Sequence, residues 1–169
     1  MLAPLAPEKL PDTAPAFARA LNVYRTMAHN PALLAAWAPL RAHVVLGGAL
    51  TEAQKEIVIL RTGYHWGSAY ERAHHIVRGR LAGLSDARIA RTAKPAEDWG
   101  VADEDTSLMA ATDALLAHGR LTDAELKPLE PAWLLDIIAT IGFYTTLAFI
   151  VNSFETPIDT HIAPDGVPK

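Results

Sequence analysis

The stretch Ala132–Val151, AWLLDIIATIGFYTTLAFIV, constrains this chain more than any other. Twenty predominantly apolar residues are enough to span a bilayer. Asp136 lies inside the run, however, and a carboxylate at membrane depth is expensive. Hydroxyls at Thr140, Thr145 and Thr146 dilute it further. A helix that is apolar on all sides belongs in a protein core or a subunit interface. The expectation is therefore a long buried helix, no membrane contact, and assembly with further copies, since a monomer of 169 residues struggles to cover it completely.

The rest of the chain carries helix punctuation and few strand signals. Residues 16–28 place Phe17, Ala20, Leu21, Tyr24, Met27 and Ala28 at helical spacing. Asn30-Pro31 supplies a cap and a first-turn proline for a helix over 31–46, which ends at Gly47-Gly48. Thr51 and Gln54 form a capping box for a third helix, which Gly63 and Gly67 end or interrupt. Ser68 caps a fourth helix closed by Gly83, and Ser85 opens a short fifth that Lys94-Pro95 ends. Asp103 or Asp105 starts a sixth reaching His118-Gly119, and Thr122 with Glu125 makes a second capping box before Pro131. With the apolar run, this predicts an all-α bundle of about eight helices in one domain spanning 1–169. The proline-rich ends, 1–15 and 157–169, read as arms or tails.

Charge and composition narrow the function. A formal net charge of −4 with no basic stripe argues against nucleic acid. The N-terminus has no basic region followed by an apolar one, so no signal peptide is expected. There is no cysteine. Disulfides, thiolate metal sites and thiol redox chemistry within this chain are therefore excluded, and a cytoplasmic location is consistent with that.

The fourth helix carries the candidate chemistry. Ser68, Glu71 and His75 share one face at i, i+3 and i+7. Glu71 and His75 stand one turn apart, where a carboxylate can fix the imidazole tautomer and tune it for acid–base work. Tyr70 and His74 flank them, and Glu56 reaches the same pocket if the third and fourth helices pair antiparallel. Against this stands the commonplace surface Glu–His pair, worth a few tenths of a kcal/mol. His74-His75 point to different faces and no HExxH spacing exists, so no metal site is expected. Ser68 sits in WGSAY, without the glycine elbow of a hydrolase nucleophile, and capping accounts for it. Arg61, Arg72 and Arg78 are available to hold a carboxylate, although surface ion pairing is the plainer role.

The run KEIVILRTGYHWGSAYERAHHIVRGRLAGLSDARI resembles the core of the carboxymuconolactone decarboxylase family, which includes the alkylhydroperoxidase D-like proteins. NVYRTMAHNPALLAAW resembles the family's leading helices and GFYTTLAFIVNSFETPID its closing helix. The resemblance implies an alkylhydroperoxidase D-like fold, no cofactor, and a homo-oligomer, trimer or hexamer. The peroxidase branch's glutamate and histidine fall on Glu56 and His75, and its two cysteines on Ser68 and Glu71. A serine and a glutamate cannot form a disulfide, so dithiol peroxide reduction is impossible here. The decarboxylase branch also lacks the cysteine pair and is closer, but it carries a Gly/Pro/Ala/Asn-rich stretch where this chain reads GFYTTLAFIVNS.

What the resemblance implies is lyase or isomerase chemistry by proton transfer on a small lactone or aromatic-derived compound. His75 is the expected acid/base, oriented by Glu71 or Glu56, with Tyr70 or Ser68 donating to an oxyanion. Trp66, Tyr64, Phe143 or Tyr144 would wall the pocket, with Ser68 and His74 as further substrate contacts. Two rival readings remain: a non-catalytic ligand-binding or scaffold protein, and a hydrolase or hydratase using a water activated by Glu and His.

Overall fold

The computed structural model describes residues 2–126, 130–163 and 165, without the side chains of residues 124 and 125. Its α-helices are α1 (Ala16–Ala20), α2 (Asn22–Met27), α3 (Pro31–Arg41), α4 (Glu52–His65), α5 (Ala69–Leu81), α6 (Asp86–Arg91), α7 (Glu104–His118), α8 (Asp123–Leu126) and α9 (Pro131–Ser153). Among the described residues this is an all-helical fold, one helix more than expected. The extra helix comes from a break at Leu21, whose backbone is extended (φ −123°, ψ 130°). In a continuous helix the amides of Asn22 and Val23 would bond to carbonyls four residues back. Instead Asn22 N–H donates to the Asp159 carboxylate (3.0 Å) and Val23 N–H to the Tyr70 hydroxyl (3.2 Å). Tertiary acceptors have displaced the local ladder.

Asn30 caps α3 by accepting from Leu33 N–H (3.1 Å). The helix then widens into a π turn over Ala42–Leu46, a local underwinding frequent near functional sites. The chain turns at Gly48, whose φ of +83° glycine adopts without strain. Both halves of the Thr51–Gln54 capping box are formed. α4 ends before Ser68 as expected, with Gly63 inside it. The missing side chain of Gly63 lets α5 approach, because a Cβ there would stand 3.4 Å from Arg72 Cγ and 3.5 Å from Glu71 Cβ. The helix ends at His65, and the chain turns at Gly67, where φ is +60°. Ser68, Ser85 and Asp103 cap α5, α6 and α7. The expected Thr122–Glu125 box falls on a Glu125 side chain outside the described residues, as do residue 164 and residues 166–169 of the C-terminal arm.

α4 is the central helix. Every residue from Lys55 to Gly63 is buried, and α5, α7 and α9 pack around it. Ile57, Val58 and Leu60 join Leu108, Met109, Ile137 and Ile141 in one apolar cluster. Ile59 joins Tyr24, Leu34, Phe143, Tyr144 and Leu147 in a second. Each such fully buried side chain contributes roughly 1.5–3 kcal/mol by leaving water. The candidate polar residues therefore sit on helices held by core on both sides.

The apolar run forms α9, the one helix among the described residues long and apolar enough to cross a membrane. Only 44% of its most apolar window is buried. Its inner face enters both clusters, while Leu135, Ile138 and Phe149 are 66%, 44% and 49% exposed. Asp136 accepts hydrogen bonds from Ala49 N–H (2.5 Å) and from His43 Nε2 (2.7 Å), which pins the start of α9 to the turn after α3.

Candidate active site

α4 and α5 are joined by a tight turn at Trp66–Gly67 and pair closely, so residues at mid-α4 face residues at mid-α5. That pairing brings Glu56 to His75. His75 Nδ1 lies 2.6 Å from Glu56 Oε2, while Glu71 Oε2 lies 3.6 Å from Nε2 on the other side of the ring. The expected direct Glu71–His75 hydrogen bond is thus absent, since 3.6 Å is beyond bonding distance. Glu56 is the partner that orients the ring. With its Nδ1–H donated to that carboxylate, the imidazole turns Nε2 toward Glu71. The three groups are 8%, 4% and 3% exposed for Glu56, His75 and Glu71.

Burial separates their protonation. Desolvation pushes the Glu71 carboxyl from 4.5 up to about 8, against the pull of Arg78 and with the help of Glu56. Its Oε1 has no hydrogen-bond partner among the described residues. His75 moves the other way. Burial lowers its basicity, and the Glu56 carboxylate opposes that only in part. A neutral acid and a neutral base thus stand beside each other near pH 7, which is how acid and base roles are divided in a single site.

Two cavities meet here. The outer one, about 360 Å³, is lined by Val44, Val45 and Leu46 of the π turn, by Glu52, Lys55, Glu56 and Ile59 of α4, by Arg78, Leu81 and Ala82, and by Tyr144. The inner one, about 20 Å³, has room for about one water molecule. Its walls include Tyr24, Arg41, Tyr70, Glu71, His74, His75, Arg78 and Tyr144. Arg78 and Tyr144 border both cavities. The Tyr144 ring meets the His75 ring edge-on at 4.8 Å.

Other expected site residues are placed elsewhere or already engaged. Tyr70 donates its hydroxyl hydrogen to Asp159 Oδ2 (2.5 Å) and accepts from Val23 N–H, so it has no hydrogen left for an oxyanion. His74 stacks on Tyr70 and sets Nδ1 against the Tyr70 carbonyl and Nε2 against Asp159, both at 2.9 Å. Ser68 is fully buried, caps α5 through Glu71 N–H (3.3 Å) and lines neither cavity. Tyr64 is 40% exposed beside Arg61 and Arg72. Trp66 donates to Thr145 Oγ1 (3.0 Å) and packs on Phe149. Neither aromatic lines either of these two cavities, and Phe143 is core against Trp37. The apolar wall is supplied instead by Val44, Val45, Leu46, Ile59 and Leu81, with Tyr144.

Of the three arginines considered, Arg61 is held by Asp113 (2.6 and 2.7 Å) and by the Thr92 and Lys94 carbonyls. Arg72 lies near Tyr64. Only Arg78 faces the cavities, and it has no ion-pair partner among the described residues. A local signal pointed to it, because Arg78 continues the Glu71–His75 face at i+7 and i+3. Lys55, which donates to the Gly47 carbonyl, and Arg41 had no such signal. Nor did Asp159, which acts from 85 residues beyond His74. No group of three or more metal-ligating side chains occurs among the described residues.

No curated protein matches the sequence. The fold is similar to the crystal structure of an alkylhydroperoxidase AhpD core, an uncharacterized peroxidase-related protein from Ralstonia eutropha JMP134. The TM-score is 0.80 at 16% identity, with 100% of this chain and 99% of that one covered. It is similar also to an uncharacterized peroxidase-related protein from Silicibacter sp. TM1040, with TM-score 0.74 at 13% identity over 95% and 93% of the two chains. The model of the carboxymuconolactone decarboxylase family matches residues 31–119, which hold α3 to α7 and with them Glu56, Glu71 and His75. With more than half of its length matched, the chain belongs to the carboxymuconolactone decarboxylase family.

Proposed function

We propose that this protein is a cofactor-independent lyase or isomerase that moves a proton on a small unsaturated lactone or aromatic-derived carbonyl compound. The observation that carries the reading is His75 held between two carboxyl groups of opposite disposition: Glu56 at 2.6 Å on Nδ1, and the neutral Glu71 beyond Nε2. The bare Nε2 takes a proton from a carbon next to the substrate carbonyl, and the electron pair of the broken C–H bond passes to the carbonyl oxygen. Glu71 returns a proton at a distant carbon of the same conjugated system, and Nε2 then hands its own proton to Glu71. In the decarboxylating version a C–C bond breaks instead, its electron pair enters the same enolate, carbon dioxide leaves, and only the return of a proton is needed. The outer cavity of about 360 Å³, bordered by Glu56, Arg78 and Tyr144, suits a molecule of that size; on this reading its reacting end enters the inner space lined by Glu71 and His75, past Arg78 and Tyr144. Peroxide reduction through a dithiol is excluded by the absence of cysteine.

We also propose that copies associate through the face of α9 bearing Leu135, Ile138 and Phe149, because apolar surface of that kind is normally covered.

The test is proton exchange followed by magnetic resonance in heavy water, on β,γ-unsaturated γ-lactones with and without a ring carboxylate. Enzyme-dependent deuterium uptake, double-bond migration or release of carbon dioxide is the expected result. The same activity in His75→Ala would remove His75 from the chemistry. Oxygen taken from labelled water into the product would instead favour the hydrolase or hydratase class.

A further inference from the structure

An enolate needs a hydrogen-bond donor, and both donors expected for that task, Tyr70 and Ser68, are committed to other partners. We infer that Tyr144 is a catalytic residue whose phenol donates a hydrogen bond to the substrate oxygen that gains negative charge. The inference rests on the proton-transfer reading above and adds to it the group that stabilises the charge.

Tyr144 is 3% exposed, and its ring is packed among Phe143, His75 and the second core cluster. A buried tyrosine hydroxyl ordinarily finds a protein partner. Tyr70, one helix away, has two. The Tyr144 hydroxyl has none among the described residues, and the residue borders both the outer and the inner cavity. The hydroxyl is thus available to a molecule in the cavity space that the residue borders. The ring's edge-on contact with His75 at 4.8 Å sets the phenol beside the base, on the wall that a bound ligand shares with Glu56 and Arg78. Burial and the nearby Glu56 carboxylate hold the phenol well above its ordinary pKa of 10, so it keeps its proton to donate. A donor fixed before the substrate arrives needs no reorganisation as the charge forms, and this gives such groups their large effect on rate.

The test uses a probe with a stable oxyanion and a neutral analogue of the same shape. 4-Nitrophenolate, followed by its absorbance, is titrated into the wild-type protein and Tyr144→Phe in buffer near neutral pH, where Glu71 keeps its proton, and nitrobenzene is titrated in parallel. Tyr144→Phe should bind the anion about 10-fold or more weakly, as expected for losing a hydrogen bond to a charged group, with nitrobenzene unaffected. On any lactone turned over by the wild type, the same variant should lose about 100-fold or more in kcat with little change in KM. Equal weakening for both probes would mean that the ring only packs, and would overturn the proposal. So would failure of the wild type to take up the anion, even with lactone exchange by His75 intact. Conversely, Tyr144-dependent anion binding without any lactone turnover would support the donor while removing the proposed reaction.

Discussion

Replacing Glu71 with glutamine keeps its shape and removes its ionisation, which isolates what burying this carboxyl does to the protein. The folded-state pKa of about 8 lies above the ordinary 4.5, so the native state holds the proton more tightly than the unfolded chain. Stability from this group is fully present below about pH 4.5 and is lost as pH rises through about 8. At 1.36 kcal/mol per pH unit, the interval from 4.5 to about 8 amounts to about 5 kcal/mol once the carboxylate is fully ionised. That is a large part of the 5–15 kcal/mol typical of a domain. The Glu71→Gln protein should match the wild type within about 1 kcal/mol near pH 4.5, where both carry a neutral group. Above pH 8 it should be more stable by as much as about 5 kcal/mol, or roughly 10–20 °C in Tm for a chain of this size. Other titrations, that of His75 included, occur in both proteins and largely cancel in the difference. Denaturant unfolding of both proteins at intervals from pH 4.5 to 9 measures it directly. Stability curves that stay parallel across that range would refute the reasoning, because they would mean that Glu71 ionises as freely in the folded chain as in the unfolded one.

Other expectations follow from the same geometry. His75→Ala should stay folded and lose proton-exchange activity by two or more orders of magnitude, as is usual for an acid–base group; steady-state rates on an active lactone check this. Asp159→Ala leaves Tyr70 and His74 buried without their acceptor and uncaps α2, so chemical unfolding should show a loss of about 3–5 kcal/mol. Gly48→Ala combines a φ of +83° with a Cβ that would stand 2.7 Å from Asp136 Oδ2; a loss of about 1–3 kcal/mol is expected in thermal unfolding. Phe149→Glu with Leu135→Glu should yield a smaller particle by light scattering if α9 is the contact between copies, and an unchanged mass would remove that face from the assembly.

What could be read from the sequence was whatever the chain specifies locally. Asn30, Thr51, Ser68, Ser85 and Asp103 all cap where their spacing to the next helical run places them, because a cap acts within one turn. Glu56, Glu71 and His75 were legible as a group through helical periodicity and the family resemblance. Which carboxylate holds the ring was not, since that depends on how closely α4 and α5 approach at Gly63. The break at Leu21 has no local signal, because the acceptor that causes it lies 137 residues away from Asn22. The places of Tyr64 and Trp66 have no local signal either. The turn at Gly67 points that end of α4 away from the cavities, and aliphatic residues from the π turn of α3 fill the wall in their stead.

Asp159 has a consequence for how the chain reaches its native state. Its carboxylate joins α2, α5 and the C-terminal arm, across separations of 137 and 85 to 89 residues. Contacts that close such long loops carry a large entropic cost and do not form until the bundle has brought their ends together. The arm is expected to dock once the bundle is in place, and its departure should be an early step of unfolding. Hydrogen exchange should find the amides of Asn22 and Val23 opening well before those of α4, although both lie in the interior. A protein shortened before residue 159 would still contain every residue that the family model matches, yet Tyr70, next to Glu71, would have lost its anchor.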